Sequence, residues 1–341
     1  MYETVLVASR GPGARQVVRS CQRLGVRAVT VHSESDAHAL HVLDADDSVL
    51  LGPAAPEQSY LDVRRVVEAA RQSGAQAVHP GSGALALDPD AASAVLDAGL
   101  AWVGAAPEVL AASRAVRPTA GAGRSVTVVV LAPAGAPAVA LCDLAAVDDF
   151  DPCAVVVSPA PGLQPAERRA AAGAAVALVS DLGVRGVAAV QVLTDSSPQP
   201  GAVRCALPVE HPVAALLHDV DLVEEQLRAA AGEPTGWRAP AVTSAAALCL
   251  RVYALDVGAD GARISRWAEP SGARMDSGYR EGDVVPAWYD PLLATVTVAG
   301  PSGGDVLARA RRALQELVVE GPTTNLPQLA ALLADPSFAA A

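Results

Sequence analysis

A glutamate and a histidine stand side by side before a proline in Cys205-Ala206-Leu207-Pro208-Val209-Glu210-His211-Pro212-Val213. A carboxylate and an imidazole in that arrangement could exchange protons with a substrate or hold a small polar ligand. Two elements must position them: an apolar strand over residues 202–207 and a strongly amphipathic helix over 214–231. Function is often carried at such junctions. The same three residues also have a purely architectural use, because the junction needs a helix cap and a hydrogen-bonded imidazole.

Other chemistry-bearing residues are scattered. Gly11-Pro12-Gly13 follows a strand and resembles the start of a dinucleotide fingerprint, but Gln16 occupies the third glycine position, so a plain tight turn is the simpler reading. His32, His38 and His41 lie close in number without an acidic or cysteine third ligand, and no metal site is expected there. Asp148, Asp149 and Asp151 read as a solvated turn. Cys21, Cys142, Cys153, Cys205 and Cys249 contain no C-x-x-C pair and are expected to be buried, reduced thiols.

The 25 basic residues are all arginine. Without lysine there can be no Schiff base, no lysine-linked biotin and no phosphate-binding lysine. A net charge of −12 without a basic patch excludes nucleic acid, since phosphate binding needs clustered cations. No signal peptide or membrane-length apolar run is found, so a cytoplasmic protein is expected. Apolar residues make up 51% and aromatics 3%, so the core must be built from Ala, Val and Leu.

Strand and helix patterns alternate up to about residue 103, implying a parallel sheet with crossover helices. A Pro/Gly/Ala-rich connection follows at 114–124. A hairpin is expected over 125–131 and 138–141, then a helix at 166–182 and strands at 187–193 and 202–207. Strands at 246–254, 263–267 and 296–299 suggest a third, antiparallel unit, closed by a helix over 305–319.

Several separated phrases together resemble biotin carboxylase. They are Val7-Ala8-Ser9-Arg10-Gly11, Gln58-Ser59-Tyr60-Leu61, His79-Pro80-Gly81-Ser82-Gly83, Trp102-Val103-Gly104, Pro208-Val209-Glu210-His211-Pro212-Val213 and Trp288-Tyr289-Asp290. The resemblance runs from residue 1 to about 330. It implies an α/β chain with a Rossmann-like N-terminal domain at 1–113 and a linker at 114–124. A truncated ATP-grasp core at 125–235, an antiparallel C-terminal domain at 236–330 and an Ala-rich tail at 331–341 would follow.

The departures from the family are concentrated in the site. Only the few residues from Val116 to Ser125 stand where the family has its glycine-rich lid, so the lid is expected to be deleted. By the same resemblance Val116 replaces the phosphate-binding lysine, and Gln191 and Ala202 replace two metal-binding glutamates on adjacent strands. Arg204 replaces the magnesium-side asparagine, Ala206 an arginine, and Pro208 the glutamine that helps hold bicarbonate. An amide, a methyl and a cation cannot replace hard anionic oxygens around Mg²⁺. Glu210 matches the family's general base and Arg274 the arginine that steadies the biotin enolate.

The resemblance thus implies a non-catalytic subunit with a structural or regulatory role in an acyl-CoA carboxylase complex. ATP, Mg²⁺ and biotin binding would be lost, and the partners would be a biotin-carrying subunit, a carboxyltransferase subunit or both. The alternative is a residual enzyme or binding module using Glu210 and Arg274 for bicarbonate or biotin without ATP. A third possibility is a nucleotide sensor using the turn at residues 11–13. The family homodimer is expected to be altered, because Arg19 is joined by Arg23 where an acid is expected, while Ala299 and Ser302 are small.

Overall fold

The computed structural model describes residues 1–116, 124–148, 153–194, 198–238 and 246–339. It opens with a five-stranded parallel sheet: β1 (Thr4–Val7), β2 (Arg27–Ser33), β3 (Asp47–Gly52), β4 (Ala77–His79) and β5 (Ala101–Trp102), in the order β3-β2-β1-β4-β5. The crossovers carry helices α1 (Gly11–Arg23), α2 (Leu40–Asp44), α3 (Val63–Ser73), α4 (Pro89–Asp97) and α5 (Pro107–Ala115). Ala14, Val17, Val18 and Cys21 recur with helical spacing and form the buried stripe of α1. In α3 the Asp62 carboxylate accepts from the first-turn amides and Gly74 closes the helix in the left-handed region. Strand order reverses between β1 and β4, the place where open α/β sheets leave a crevice at the strands' carboxyl ends. Gly11 already belongs to α1, so the expected turn is the helix's first turn, with Pro12 fixing its entry.

The second sheet has eight strands. Its first half is β6 (Ser125–Ala132), β7 (Val139–Ala146), β8 (Val155–Ser158), β9 (Gly186–Leu193) and β10 (Gln199–Arg204), with helices α6 (Pro165–Asp181), α7 (His211–His218) and α8 (Leu222–Ala230). Its second half begins at β11 (Ala246–Tyr253), which pairs antiparallel with β8. Short strands β12 (Ala262–Arg263) and β13 (Arg266–Ala268) follow, then β14 (Arg274–Ser277), β15 (Val284–Val285) and β16 (Leu292–Gly300). The sheet therefore runs without interruption in the order β10-β9-β6-β7-β8-β11-β16-β14, joining strands from both sides of residue 236. Helix α9 (Gly303–Glu316), strand β17 (Val318–Glu320) and helices α10 (Leu326–Ala334) and α11 (Pro336–Ala339) complete the chain.

Four local expectations are corrected. The helix over 214–231 is two helices, because Asp219 takes φ 47° and Asp221 starts a new one as N-cap of α8. Aspartate tolerates the left-handed region better than most residues. The last long helix stops at Glu316, and Val318 and Val319 pair with β13 instead, as β-branched residues favour. The strand expected at 263–267 is two short strands split by buried Ile264, pairing with β15 and β17 respectively. Strand β10 ends at Arg204, so Cys205 to Val209 connect it to α7 as irregular, mostly buried backbone.

The hairpin of β6 and β7 and the strand β9 form where expected. Cys21, Cys142, Cys205 and Cys249 are buried and Cys153 is half-buried, all as free thiols. Asp149, Asp151 and residues 117–123 of the linker lie outside the described residues. Asp148 accepts from the backbone amide of Ala154. No helix among the described residues is long and apolar enough to cross a membrane.

Candidate functional site

The positions where metal ligands are expected come together on neighbouring strands. Ala202 of β10 lies directly opposite Gln191 of β9 in the antiparallel ladder. Facing residues in such a ladder have Cβ atoms about 5 Å apart, close enough for two carboxylates to share one ion. Here one is a methyl, and the Gln191 amide Nε2 donates to Ser125 Oγ at 2.8 Å. Arg204, at the end of β10, is exposed and has its pKa lowered by burial of part of the side chain and by the charge of Arg251. Ala206 and Pro208 are buried, and Val116 packs half-buried against the apolar core. Mg²⁺ needs several oxygen ligands with at least one anionic, and these residues do not fit it. Among the described residues, no three His, Cys, Asp or Glu side chains gather as a metal centre would require.

Glu210 occupies the N-cap position of α7, but its side chain makes no cap hydrogen bond. The capping role is thereby corrected. Its carboxylate instead forms an ion pair with Arg251, which β11 carries across from the second half of the sheet. The two side chains are only 12% and 11% exposed. Arg251 also donates through Nη1 to the Cys153 carbonyl at 3.1 Å. The hydrogen-bonded imidazole is present: His211 Nδ1 lies 3.1 Å from the Pro208 carbonyl, which makes Nδ1 the donor and leaves Nε2 as a bare acceptor. Burial holds the His211 pKa down at about 4, so the ring is neutral at pH 7.

Arg274 opens β14, and alternation places Asp276 on the same face two residues later. Arg274 Nε donates to Asp276 Oδ2 at 2.8 Å and Nη2 to Oδ1 at 3.4 Å. Glu210 and Arg274 are therefore each engaged by a different partner. His211 and Asp276 line a cavity of about 400 Å³ that also takes in Arg10 to Gly13 and Ser82, at the carboxyl ends of β1 and β4. Glu210 does not line it.

One cluster in this cavity was not foreseen from sequence. Arg10 Nε and Nη2 donate to the two oxygens of Asp36 at 2.8 and 3.0 Å, and Tyr60 donates to Asp36 Oδ2 at 2.6 Å. Burial raises the Asp36 pKa, but the hydrogen bond and charge of Arg10 outweigh it and hold the carboxylate below its usual range. The Arg10 guanidinium also lies 4.2 Å from the Tyr289 ring centroid, and Tyr289 donates to the Ala54 carbonyl at 2.6 Å. These contacts tie the first sheet to the last strands. The phrases around Arg10, Tyr60 and Tyr289 were the only signal in sequence.

The remaining expectations concern histidines and surface arginines. His38 is exposed, while His41 is buried close enough to His32 to feel its charge, so only two of the three histidines come near each other. Arg19 and Arg23 do not oppose each other as unpaired charges: Arg19 lies 3.6 Å from Asp44, and Arg23 pairs with Asp221 of the α8 cap. Ser302 caps α9, its hydroxyl accepting from the Asp305 amide at 3.2 Å.

A parallel sheet with a crevice at its switch point, feeding a long antiparallel sheet, is the architecture of an ATP-grasp carboxylase. Three family models match in sequence order: "Biotin carboxylase, N-terminal domain" over residues 1–110, "Carbamoyl-phosphate synthase L chain, ATP binding domain" over 122–236, and "Biotin carboxylase C-terminal domain" over 251–341. The chain belongs to the biotin carboxylase family.

It is 27% identical to the biotin carboxylase of Halalkalibacterium halodurans, covering 100% of this chain and 96% of that protein. It is 29% identical to the biotin-dependent acyl-coenzyme A carboxylase alpha3 subunit of Mycobacterium leprae, covering 98% and 71%. Among solved structures, a single-chain, multi-domain long-chain acyl-CoA carboxylase matches with TM-score 0.90 and 33% identity over 99% of this chain and 39% of that one. The Kluyveromyces lactis urea carboxylase matches with TM-score 0.90 and 29% identity over 99% and 32%. The chain thus spans about a third of those solved proteins. The alignment with the Halalkalibacterium protein extends over 432 positions, 91 more than the 341 residues here.

Proposed function

We propose that this chain is a non-catalytic biotin carboxylase-like subunit, with a structural or regulatory role in an acyl-CoA carboxylase assembly. The observation that carries this reading is the facing pair Gln191 and Ala202, which offers no anionic oxygen where two ligands of one metal would stand. ATP chemistry needs a metal to neutralise the phosphates. Arg204 adds a positive charge to the same region, which disfavours a cation further. The engagement of Glu210 by Arg251 supports the reading too, since a carboxylate already paired with a guanidinium is a poor base.

The missing 91 alignment positions fit deletion of the lid between residues 116 and 125. Binding of ATP, Mg²⁺ and biotin is absent on this view, and the protein acts in the cytoplasm. Its partners are a biotin-carrying subunit, a carboxyltransferase subunit or both, in keeping with relatives named as carboxylase alpha subunits. The residual-enzyme alternative would need Glu210 and Arg274 to face one ligand, and both are engaged elsewhere.

The test is phosphate release from ATP with free biotin and bicarbonate, beside an active biotin carboxylase as reference. No biotin- and bicarbonate-dependent release is expected; release at the reference rate would refute the proposal. Affinity purification from the native cell should bring down carboxylase subunits.

A further inference from the structure

We infer that the cavity of about 400 Å³ at the switch point binds a small organic monocarboxylate with an apolar body. Its volume falls within the range of small-molecule pockets.

The end of the cavity at β1 and β4 is rich in donors that nothing in the chain uses. Gly11 and Gly13, which line it, begin α1, and their amides donate to no described residue. The first turn carries no acidic residue and no side-chain cap, so the positive end of a 13-residue helix borders the cavity without a counter-charge of its own. A Cβ on Gly13 would come within 3.2 Å of Ser82 Oγ, so the Gly13 backbone and the Ser82 hydroxyl lie side by side. Ser9 and Ser82 both line the cavity, and neither hydroxyl is hydrogen-bonded to a described residue.

A second observation is independent of the helix. Thr295 of β16 reaches the same cavity from the eight-stranded sheet and is only 3% exposed. Its hydroxyl has no hydrogen-bond partner among the described residues, yet it keeps accessible surface, unlike the sealed hydroxyl of Thr297 two residues on. A hydroxyl that is buried, unpartnered and still reachable points to a partner that enters the cavity.

The charges choose the ligand and its direction. Among the described residues lining the cavity there is no free cation, because Arg10 is spent on Asp36. Asp276 is spent likewise on Arg274. Amides, hydroxyls and a helix end then suit one negative charge better than two. Asp290 is exposed at the mouth and repels an anion there, which sends the carboxylate inward to Gly13, Ser82 and Thr295. Leu61 and Trp288, 45% and 55% exposed, line the same mouth and would be covered by the apolar body.

The inference rests on the proposed regulatory role only for what binding is for. The test is calorimetry of the full chain with 3-phenylpropionate, without ATP, so its failure leaves the non-catalytic reading standing. A dissociation constant below about 10 mM is expected, a weak-ligand range. 3-Phenylpropionamide, of the same shape without the charge, should bind at least about tenfold more weakly. Thr295→Val, which keeps the side chain's shape, and Ser82→Ala, in a half-buried loop, should each weaken binding about fivefold, the size of one lost hydrogen bond. Absence of heat up to about 50 mM, as waters held on the hydroxyls would give, overturns the inference. So does equal binding of the amide, binding that neither variant weakens, or displacement by equimolar inorganic phosphate.

Discussion

Replacing Arg251 by methionine tests whether Glu210 is a structural anion. Both side chains are about nine-tenths buried, so the pair lies in a region where charge is poorly solvated. Removing one partner of such a pair typically costs about 3–5 kcal/mol, because the other charge is left buried and uncompensated. At about 2.1 cal/mol/K of unfolding entropy per residue, a chain of this length would lose roughly 5 °C in melting temperature. The double variant Arg251→Met with Glu210→Gln removes the stranded charge and should recover more than half of the loss. Urea unfolding of the wild type, both single variants and the double variant closes the cycle. A cost below about 1 kcal/mol for Arg251→Met, as measured for solvent-exposed pairs, would refute the reasoning. A double variant as unstable as the single one would do the same.

Restoring acids at the facing pair, Gln191→Glu with Ala202→Glu, should create binding of Mn²⁺ detectable by calorimetry that the wild type lacks; equal binding by the wild type would contradict the site reading. His41, His79 and His211 are held at about 4 by burial, so the unfolded chain, whose imidazoles titrate near 6.5, binds protons first as pH falls. Stability from these groups is full above about pH 6.5 and is lost between there and about 4, by roughly 2 kcal/mol for each at pH 5. Urea midpoints at pH 7 and pH 5 measure this, and unchanged midpoints would count against it. Tyr289→Phe should cost about 1 kcal/mol through its hydroxyl. Tyr289→Leu should cost about 1 kcal/mol more by removing the ring under Arg10; equal losses in the two variants would show that the ring contributes nothing.

Much of the fold was readable because its signals are local. Alternating apolar runs and amphipathic stripes mark β1 through α5, and Asp62 with Gly74, or Gln164 with Glu167, mark helix ends through hydrogen bonds within a few residues. The breaks at Asp219 and Glu316 were missed for the opposite reason. The residues around them continue a helical apolar pattern, and only packing against distant strands decides that the helix stops. Short strands such as β12 and β13 exist because partners 23 and 54 residues away complete their hydrogen bonds, as Val285 does for Ala262 and Glu320 for Arg266.

By itself the sequence determined which chemistry is available. It contains no lysine, and it places an amide, a methyl and an arginine at Gln191, Ala202 and Arg204 whatever the fold does. Tertiary structure alone decided what the retained residues face. Glu210 looked like a cap or a base beside His211, and its partner turned out to be Arg251, 41 residues later on another strand. Arg274 turned to Asp276 within its own strand. A side chain's role in a buried site is set by whichever opposite charge the packed backbone brings within hydrogen-bond distance. That pairing depends on sheet order and register rather than on neighbours in the chain.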